Sequence, residues 1–150
     1  MRVFTDLDRL EAAVGEPLGV SSWHDVSQER VLAFADATGD FNWLHTSPER
    51  AAATAFGSTI AHGYLTLALT SAFAEEMYRL DGVAMRINYG LDKVRFVRAV
   101  PVGARVRGRG VLRRVDRRPG AALVAITMTV ETEQPAEVVC VAETLTYVTE

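Results

Sequence analysis

Residues 63–73 read Gly-Tyr-Leu-Thr-Leu-Ala-Leu-Thr-Ser-Ala-Phe, and the expected architecture follows from this apolar run. It predicts a helix that runs from Gly63 to about Leu80. Apolar side chains fall on nearly every side of its first three turns, and a helix that is apolar all round is a buried helix. We therefore expect the other elements to wrap around it. The helix soon reaches Glu75 and Glu76, so it falls short of the ~20 apolar residues that a membrane span needs.

The sequence after this helix predicts strands. Extended segments at residues 83–96, 104–115, 123–130 and 138–148 are separated by turn residues that include Asp81-Gly82, Pro101-Val102-Gly103 and Pro119-Gly120. In the second segment arginines alternate with apolar residues, which is typical of a strand with one wet and one dry face. The four segments, joined by short hairpins, predict an antiparallel meander. The expected fold class is α+β, with an antiparallel sheet curled around one long central helix.

Shorter elements are predicted before the central helix. We expect a helix over residues 4–14 and a strand over residues 19–26. Ser27 is the expected N-cap of a second helix, and Gly39 supplies its left-handed exit. Ser47 and Pro48 begin another short helix, since proline suits the first helical position. Residues 40–46, between these two helices, are predicted to form a loop.

Composition narrows the class of protein. A length of 150 residues predicts one domain covering residues 1–150, and 49% hydrophobic with 23% charged residues suffices for a sizeable core. A net charge of −3 does not suggest a nucleic-acid binder. The only cysteine, Cys140, excludes a disulfide framework and favours the cytoplasm, and we expect its thiol to be buried and inert. The first residues lack a long apolar run, so no signal peptide is expected.

The positive charge is concentrated in one segment. Residues 86–118 hold eleven of the sixteen Lys and Arg and only two acids, so this segment carries a net charge of +9. Such a segment suits an anionic ligand, most plausibly a phosphorylated one. It equally suits a solvated strand face on which arginine serves solubility. The sequence leaves both interpretations open.

The predicted loop contains Asp40, Asn42 and His45, and catalytic groups often lie in loops. A carboxylate and an imidazole can hold a water between a proton acceptor and a proton donor. That pairing can add water to an activated double bond or remove it. Asn42 can support the water without titrating. The same residues would also suit an ordinary polar turn, so this pattern alone leaves the function undecided.

Gly63 adds an electrophilic partner to this loop. The first N–H groups of a helix have no partners within the helix and lie at the positive end of its dipole. Gly63 could therefore present a closely approachable amide to a carbonyl oxygen that becomes an enolate, or it could merely ease entry into the helix. His62 is a second imidazole, for which a structural role is favoured over substrate contact. The three histidines, at positions 24, 45 and 62, lack metal-ligand spacing, so no metal site is expected.

Several segments resemble one known family. Residues 34–45, Phe-Ala-Asp-Ala-Thr-Gly-Asp-Phe-Asn-Trp-Leu-His, with Ala51, resemble the hydratase-2 motif of MaoC-like proteins, the (R)-specific enoyl-CoA hydratases. Residues 60–65, Ile-Ala-His-Gly-Tyr-Leu, resemble that family's entry into its central helix. Residues 89–96 and 101–103 resemble its following strand and turn. The likeness spans about residues 18–148, the size of a single hot-dog subunit.

This resemblance implies a hot-dog fold and a homodimer whose two sheets join, with an acyl-CoA tunnel near the interface. It implies hydration of trans-2-enoyl-CoA to (R)-3-hydroxyacyl-CoA, with coenzyme A as part of the substrate and no further cofactor. Asp40 and His45 carry over as the catalytic pair, Asn42 as a supporting amide and the Gly63 N–H as the oxyanion donor. The candidates for substrate contact are Trp43, His62, Lys93 and Arg95, the last two for the CoA phosphates from the same or the partner subunit.

Trp43 departs from the family pattern, which usually has proline at this position. The loop loses a fixed φ and gains bulk near the expected acyl pocket, which bears on chain-length preference. Three other functions share this fold: an acyl-CoA thioesterase, a dehydratase for carrier-protein-bound acyl groups, and a non-catalytic acyl-thioester-binding subunit. The Asp40–His45 loop argues against the first and the third.

Overall fold

The computed structural model describes residues 1–150. Its five helices are α1 (Leu7–Ala12), α2 (Gln28–Thr38), α3 (Trp43–Thr46), α4 (Pro48–Ala52) and α5 (Gly63–Met77). Its eight strands are β1 (Arg2–Phe4), β2 (Pro17–Val20), β3 (His24–Asp25), β4 (Tyr78–Leu80), β5 (Met85–Phe96), β6 (Arg105–Arg118), β7 (Ala121–Thr132) and β8 (Val138–Thr149). No helix has both the length and the apolar character needed to cross a membrane.

The central helix α5 packs against the inner face of a curved antiparallel sheet. Its buried side chains include Leu65, Phe73 and Met77, which belong to the main core cluster together with inward residues of β6, β7 and β8. The contact with β6 is close because that strand has glycine where it passes the helix. A Cβ at Gly108 would lie 2.6 Å from the Phe73 ring. The expected architecture, a sheet wrapped around a long helix, is confirmed.

The order of the strands differs from the predicted meander. The sheet runs β2-β6-β7-β8-β5, so β5 lies beside β8 at the far edge and not beside β6. The other edge of β6 is taken by β2 and β3, which leaves no place for β5 there. The chain between β5 and β6 therefore crosses from one edge of the sheet to the other. The Ala61 N–H donates to the Val100 carbonyl at 2.8 Å and ties this crossing segment to the residues before α5.

Several predicted elements differ in the structure. Residues 43–46, predicted as part of a loop, form the short helix α3, because the Asn42 side chain caps its first turn. The first helix is shorter than residues 4–14, because residues 2–4 form β1 and pair in parallel with β4. The same pairing ends α5 at Met77 instead of near Leu80. The predicted strand at 19–26 is two short strands, β2 and β3. The pairing of β1 with β4 joins residues more than seventy positions apart, so local patterns could not indicate it.

One flank of α5 is open, in contrast to the prediction that it is covered all round. Tyr64 is 70% exposed, and Ala68 and Ala72 lie on the same uncovered flank. The neighbouring strand β5 is also unpaired along its outer edge, and Met85, Ile87 and Tyr89 expose 46%, 46% and 63% of their surface. A long exposed apolar edge strand is a surface that proteins usually cover.

Three arginines of β6, at positions 105, 107 and 109, lie on the outer face of the sheet. Val106 and Leu112 point into the core and are fully buried. Arg107 and Arg109 lie on the opposite face and share the Glu131 carboxylate at 2.7 and 2.9 Å, while Arg105 pairs with Glu133. The solvated-face interpretation of this part of the basic segment is therefore the correct one. On the inner side of β8, Cys140 is buried as expected, and burial raises the pKa of its thiol to about 11.

Candidate active site

Asp40 lies in the site directly after the end of α2. Ser27 caps the start of this helix by accepting a hydrogen bond from the Arg30 N–H, and Gly39 ends it with φ of +77°. A non-glycine residue rarely adopts that left-handed conformation, so the glycine sets where the chain turns away. Asp40 follows at once and its side chain is exposed.

Asn42 shapes the loop around this carboxylate. Its backbone N–H donates to Asp40 Oδ1 at 3.3 Å, and its side-chain oxygen accepts from the Leu44 N–H at 3.0 Å. Asn42 is thereby the N-cap of α3, the short helix that carries His45. The side-chain oxygen of Asn42 therefore orients the loop through this hydrogen bond.

One hydrogen bond fixes the backbone of His45, and a second fixes its ring. The Gln28 side-chain amide donates to the His45 carbonyl at 2.8 Å, and His45 Nδ1 lies 2.7 Å from the Ile60 carbonyl oxygen. A carbonyl can only accept, so this contact assigns the proton of the neutral ring to Nδ1. The lone pair of Nε2 is then free to accept a hydrogen bond within the site. Sequence reasoning missed Gln28, because its contact with His45 is a tertiary one.

His62 lies beneath His45 and is 1% exposed. The two rings stack with centroids 3.8 Å apart and an interplanar angle of 29°. His62 Nε2 lies 3.0 Å from the Asp40 carbonyl oxygen, while Nδ1 is buried without a hydrogen-bond partner. The same argument places the proton of the neutral ring on Nε2. His62 therefore holds the Asp40 backbone with one edge and supports the His45 ring with its face.

Asp40, His45 and His62 bring carboxylate oxygen and imidazole nitrogen atoms within 4.8 Å of one another. Groups at such a separation can share a bridging water. Three donors of this type could also suggest a metal ion, but ligand lone pairs must converge on one point at about 2.0–2.2 Å. The lone pairs of two nearly parallel stacked rings do not converge in this way. The cluster suits proton transfer better than chelation.

Gly63 lies beside this cluster at the first turn of α5. Its N-cap residue, His62, makes no side-chain hydrogen bond to the helix N-terminus, so the first N–H groups are not capped. A Cβ at Gly63 would lie 3.0 Å from the Phe96 ring. Glycine thus allows β5 to approach the helix closely. Gly63, His45 and Phe96 line a cavity of about 350 Å³, whose wall also includes the crossing segment.

Some predicted site residues lie elsewhere. Trp43 lines neither this cavity nor the larger one described below; its ring lies under the Arg50 guanidinium at 4.4 Å. It is the first residue of α3, a position where proline is well accommodated, so the departure from proline leaves the helix start intact. Lys93 and Arg95 alternate along β5 with the inward-facing Val94 and therefore lie on the outer face.

Arg98 and Phe56 line the cavity although sequence reasoning did not select them. Arg98 is 60% exposed in its side chain and faces the Glu137 carboxylate at 3.6 Å. It belongs to the basic segment, which was the available signal. The crossing of the chain after β5 is what brings it to the site, and that crossing was not predicted.

The geometry defines a hot-dog protein in which a carboxylate and an imidazole lie beside an uncapped helix N-terminus. A family model described as MaoC like domain matches residues 9–135. The chain belongs to the MaoC-like family, which confirms the resemblance noted in the sequence.

Individual relatives agree with this assignment. The chain is 50% identical over 146 residues to 3-hydroxyacyl-thioester dehydratase Z of Mycobacterium tuberculosis, with 97% of each chain covered. It is similar to the structure of an (R)-hydratase from A. caviae involved in PHA biosynthesis, with a TM-score of 0.72, 27% identity and coverage of 89% and 94% of the two chains. A monoamine oxidase regulatory protein from Archaeoglobus, at 24% identity and a TM-score of 0.80, covering 99% of this chain and 97% of that one, shares the fold.

Proposed function

We propose that the protein interconverts trans-2-enoyl thioesters and (R)-3-hydroxyacyl thioesters, with coenzyme A as the thioester carrier. The observation that carries this proposal is the placement of Asp40 and His45, within bridging distance of one water, next to the uncapped N-terminus of α5. The names of the mycobacterial dehydratase and of the (R)-hydratase support the same chemistry.

The thioester carbonyl would accept a hydrogen bond from the Gly63 N–H. Negative charge develops on this oxygen when a nucleophile adds to C3 of the enoyl group. A preorganised amide at the positive end of a helix stabilises that charge more in the transition state than in the ground state. The absence of a side chain at Gly63 lets the carbonyl approach the backbone.

The attacking water would donate one hydrogen bond to the Asp40 carboxylate and one to His45 Nε2. Both groups are acceptors in the assigned state, so the water is left with a lone pair directed at C3. Asp40 takes one proton as the water oxygen adds to C3, and a proton returns to C2 through the Asp40–His45 pair. The atoms of one water account for both additions, so the step requires no cofactor.

The nucleotide end of coenzyme A needs cations near the mouth of the cavity. Arg98 is the best placed within the subunit, because it lines the cavity and its side chain is 60% exposed. Lys93 and Arg95 face outwards on β5, the strand whose outer edge is free. They remain candidates for the site of a partner subunit.

We propose a homodimer in which the β5 edge and the open flank of α5 are covered by a second copy. Exposed Ile87 and Tyr89 on the edge strand, and Tyr64 on the helix, would be buried by such a contact. Pairing the edges of two copies satisfies the free backbone groups of β5 and removes an aggregation-prone edge.

The experiment that tests this function follows the absorbance of the conjugated enoyl thioester in crotonyl-CoA. We expect the absorbance to fall with formation of (R)-3-hydroxybutyryl-CoA, identified by chiral chromatography. Release of free thiol would instead indicate a thioesterase. Saturable binding without turnover would indicate a non-catalytic subunit, and faster turnover of a carrier-protein thioester would change the assigned carrier.

A further inference from the structure

A second and larger cavity, of about 540 Å³, lies between α5 and the inner faces of β5 and β8. Leu67 and Thr70 belong to its helix wall, and Leu91 and Ile126 to its sheet wall. Tyr78, the first residue of β4, lines it just beyond the end of α5. None of the groups assigned to the chemistry lines it. The cavity combines an apolar body with a cluster of polar side chains, so its occupant should have both characters.

The two cavities follow one another along the same side of α5. Thr66 lines the smaller cavity and Thr70 the larger one. Residues four apart lie above one another on a helix face, and β5 with β8 forms the opposite wall of both cavities. An acyl chain whose carbonyl meets Gly63 and whose tail follows α5 towards its C-terminus would enter the larger cavity. This path of the acyl chain rests on the proposed thioester chemistry.

Arg86 lies at the far end of this path. Its guanidinium donates to the Tyr78 hydroxyl at 3.0 Å, lies over the Tyr78 ring at 4.9 Å and faces the Glu75 carboxylate at 3.4 Å. With a rise of about 1.5 Å per residue, Glu75 is roughly 18 Å from Gly63 along the helix. The cation therefore meets the end of a chain and not its thioester.

The partners of Arg86 leave it able to bind a further anion. Its side chain is 22% exposed, whereas that of Glu75 is 71% exposed. A methyl-terminated tail filling the cavity would remove water from the guanidinium and give it no new partner, which is unfavourable. A terminal carboxylate would supply a charge-assisted partner in addition to the exposed carboxylate of Glu75.

We propose that the larger cavity recognises acyl thioesters that carry a carboxylate at the end of the acyl chain, and that Arg86 is the specificity-determining residue. Tyr78 holds the guanidinium in place from below. Asn88 and Ser71, 3.4 Å apart between Nδ2 and Oγ, supply further polar groups beside it.

The test is calorimetric binding of saturated acyl-CoAs, which cannot react. Decanoyl-CoA and dodecanoyl-CoA are compared with the same acyl chains ending in a carboxylate. We expect the wild type to bind the carboxylate-terminated compounds about ten-fold more tightly, a modest gain for a charged hydrogen bond. Arg86→Met should abolish the preference and Arg86→Lys should retain part of it. The control Arg79→Met removes an exposed arginine outside the cavity and should keep the whole preference.

Because each preference is a ratio within one protein sample, a general loss of folded protein cannot imitate the result. Equal affinities in the wild type, or a preference that survives Arg86→Met, would overturn the assignment of Arg86. Hydration of crotonyl-CoA by the wild type is measured separately, since this short acyl group does not reach Arg86. If the preference for carboxylate-terminated acyl-CoA is absent and hydration is intact, only the proposed recognition of the acyl tail is contradicted. If the preference is present and crotonyl-CoA is not hydrated, the proposed reaction is contradicted and the recognition of the acyl tail is supported.

Discussion

The imidazole rings of His45 and His62 stack with their centroids 3.8 Å apart. The outer ring presents a free Nε2 to the site, and the inner ring is buried and holds the Asp40 carbonyl through its own Nε2. The two proposed catalytic groups are thus positioned by one residue that lines neither cavity. We therefore assign His62 as a residue that positions Asp40 and His45.

Replacing His62 tests that role. His62→Phe keeps the size and the stacked ring but removes the hydrogen bond to Asp40, so we expect kcat to fall about ten-fold, or about 1.4 kcal/mol in activation free energy. KM should change much less, because the substrate cavity is intact. His62→Gln can still donate to the Asp40 carbonyl and should retain more activity. A Phe variant with wild-type kcat would contradict the role; His24→Gln, in a histidine outside the site, is the control.

The contact between Gly108 and Phe73 predicts a stability difference between two glycine variants. A Cβ at Gly108 would come within 2.6–2.9 Å of the Phe73 side chain, which is fully buried and is met at its own Cβ as well as at its ring. Gly108→Ala should lower the free energy of unfolding by about 1–3 kcal/mol, the usual cost of overpacking. Gly110→Ala meets the flexible Met77 Sδ at 3.0 Å and should cost less. Urea unfolding measures both, and equal effects would show that the helix–sheet contact is looser than described.

The ionisation of Glu76 should make the free energy of unfolding depend on pH. The Ser22 N–H, which donates to Glu76 at 2.7 Å, lowers the pKa of this carboxyl below its ordinary value of 4.5, and His24 adds to the effect. A carboxyl whose pKa is lower in the folded state stabilises the fold above its unfolded pKa. The contribution is therefore lost as the pH falls below about 4.5.

Glu76→Gln should thus be less stable than the wild type at pH 7, with a gap that narrows on acidification. Urea unfolding at several pH values measures the gap. Glu11→Gln, at an exposed position of α1, should show a small difference that does not vary with pH. A gap for Glu76→Gln that widens towards acid would be opposite to the expected sign.

The open edge of β5 predicts a dimer that a charge can disrupt. Ile87→Asp places a carboxylate on the exposed apolar edge strand, so we expect a shift from dimer to monomer in light scattering after size-exclusion chromatography. Val14→Asp substitutes a valine of similar exposure, 43%, near α1 and should remain dimeric. A wild type that is monomeric at all concentrations would remove this part of the proposal.

Local sequence patterns were enough to predict the elements that hold the site. The serine at position 27, the left-handed glycine at position 39 and the apolar run after Gly63 each act within one or two turns of helix. The position of Asp40 after α2 and the helix start at Gly63 follow from these signals alone, whereas α3, which carries His45, was predicted as part of a loop. The confirmed fold depends on the same run, because a helix with so much apolar surface requires a sheet around it.

The remaining features depend on contacts between distant parts of the chain. The pairing of β5 with β8 and the parallel pair β1–β4 are set by competition for strand edges, which no local pattern records. The approach of Phe96 to Gly63, and of Arg98 to the cavity, follows from that pairing. The stack of His45 on His62 joins residues seventeen positions apart through a turn whose path the sequence did not indicate.

In the proposed reaction, Asp40 activates a water for addition to an enoyl thioester. The most direct measurement is the initial rate of crotonyl-CoA hydration by the wild type, by Asp40→Asn, and by the control Asp36→Asn, an exposed carboxylate one helical turn earlier. Loss of a general base typically costs 10²–10⁴-fold, so we expect kcat of Asp40→Asn to fall by at least about 100-fold, with Asp36→Asn unaffected. Turnover of Asp40→Asn at the wild-type rate would show that Asp40 is not the base.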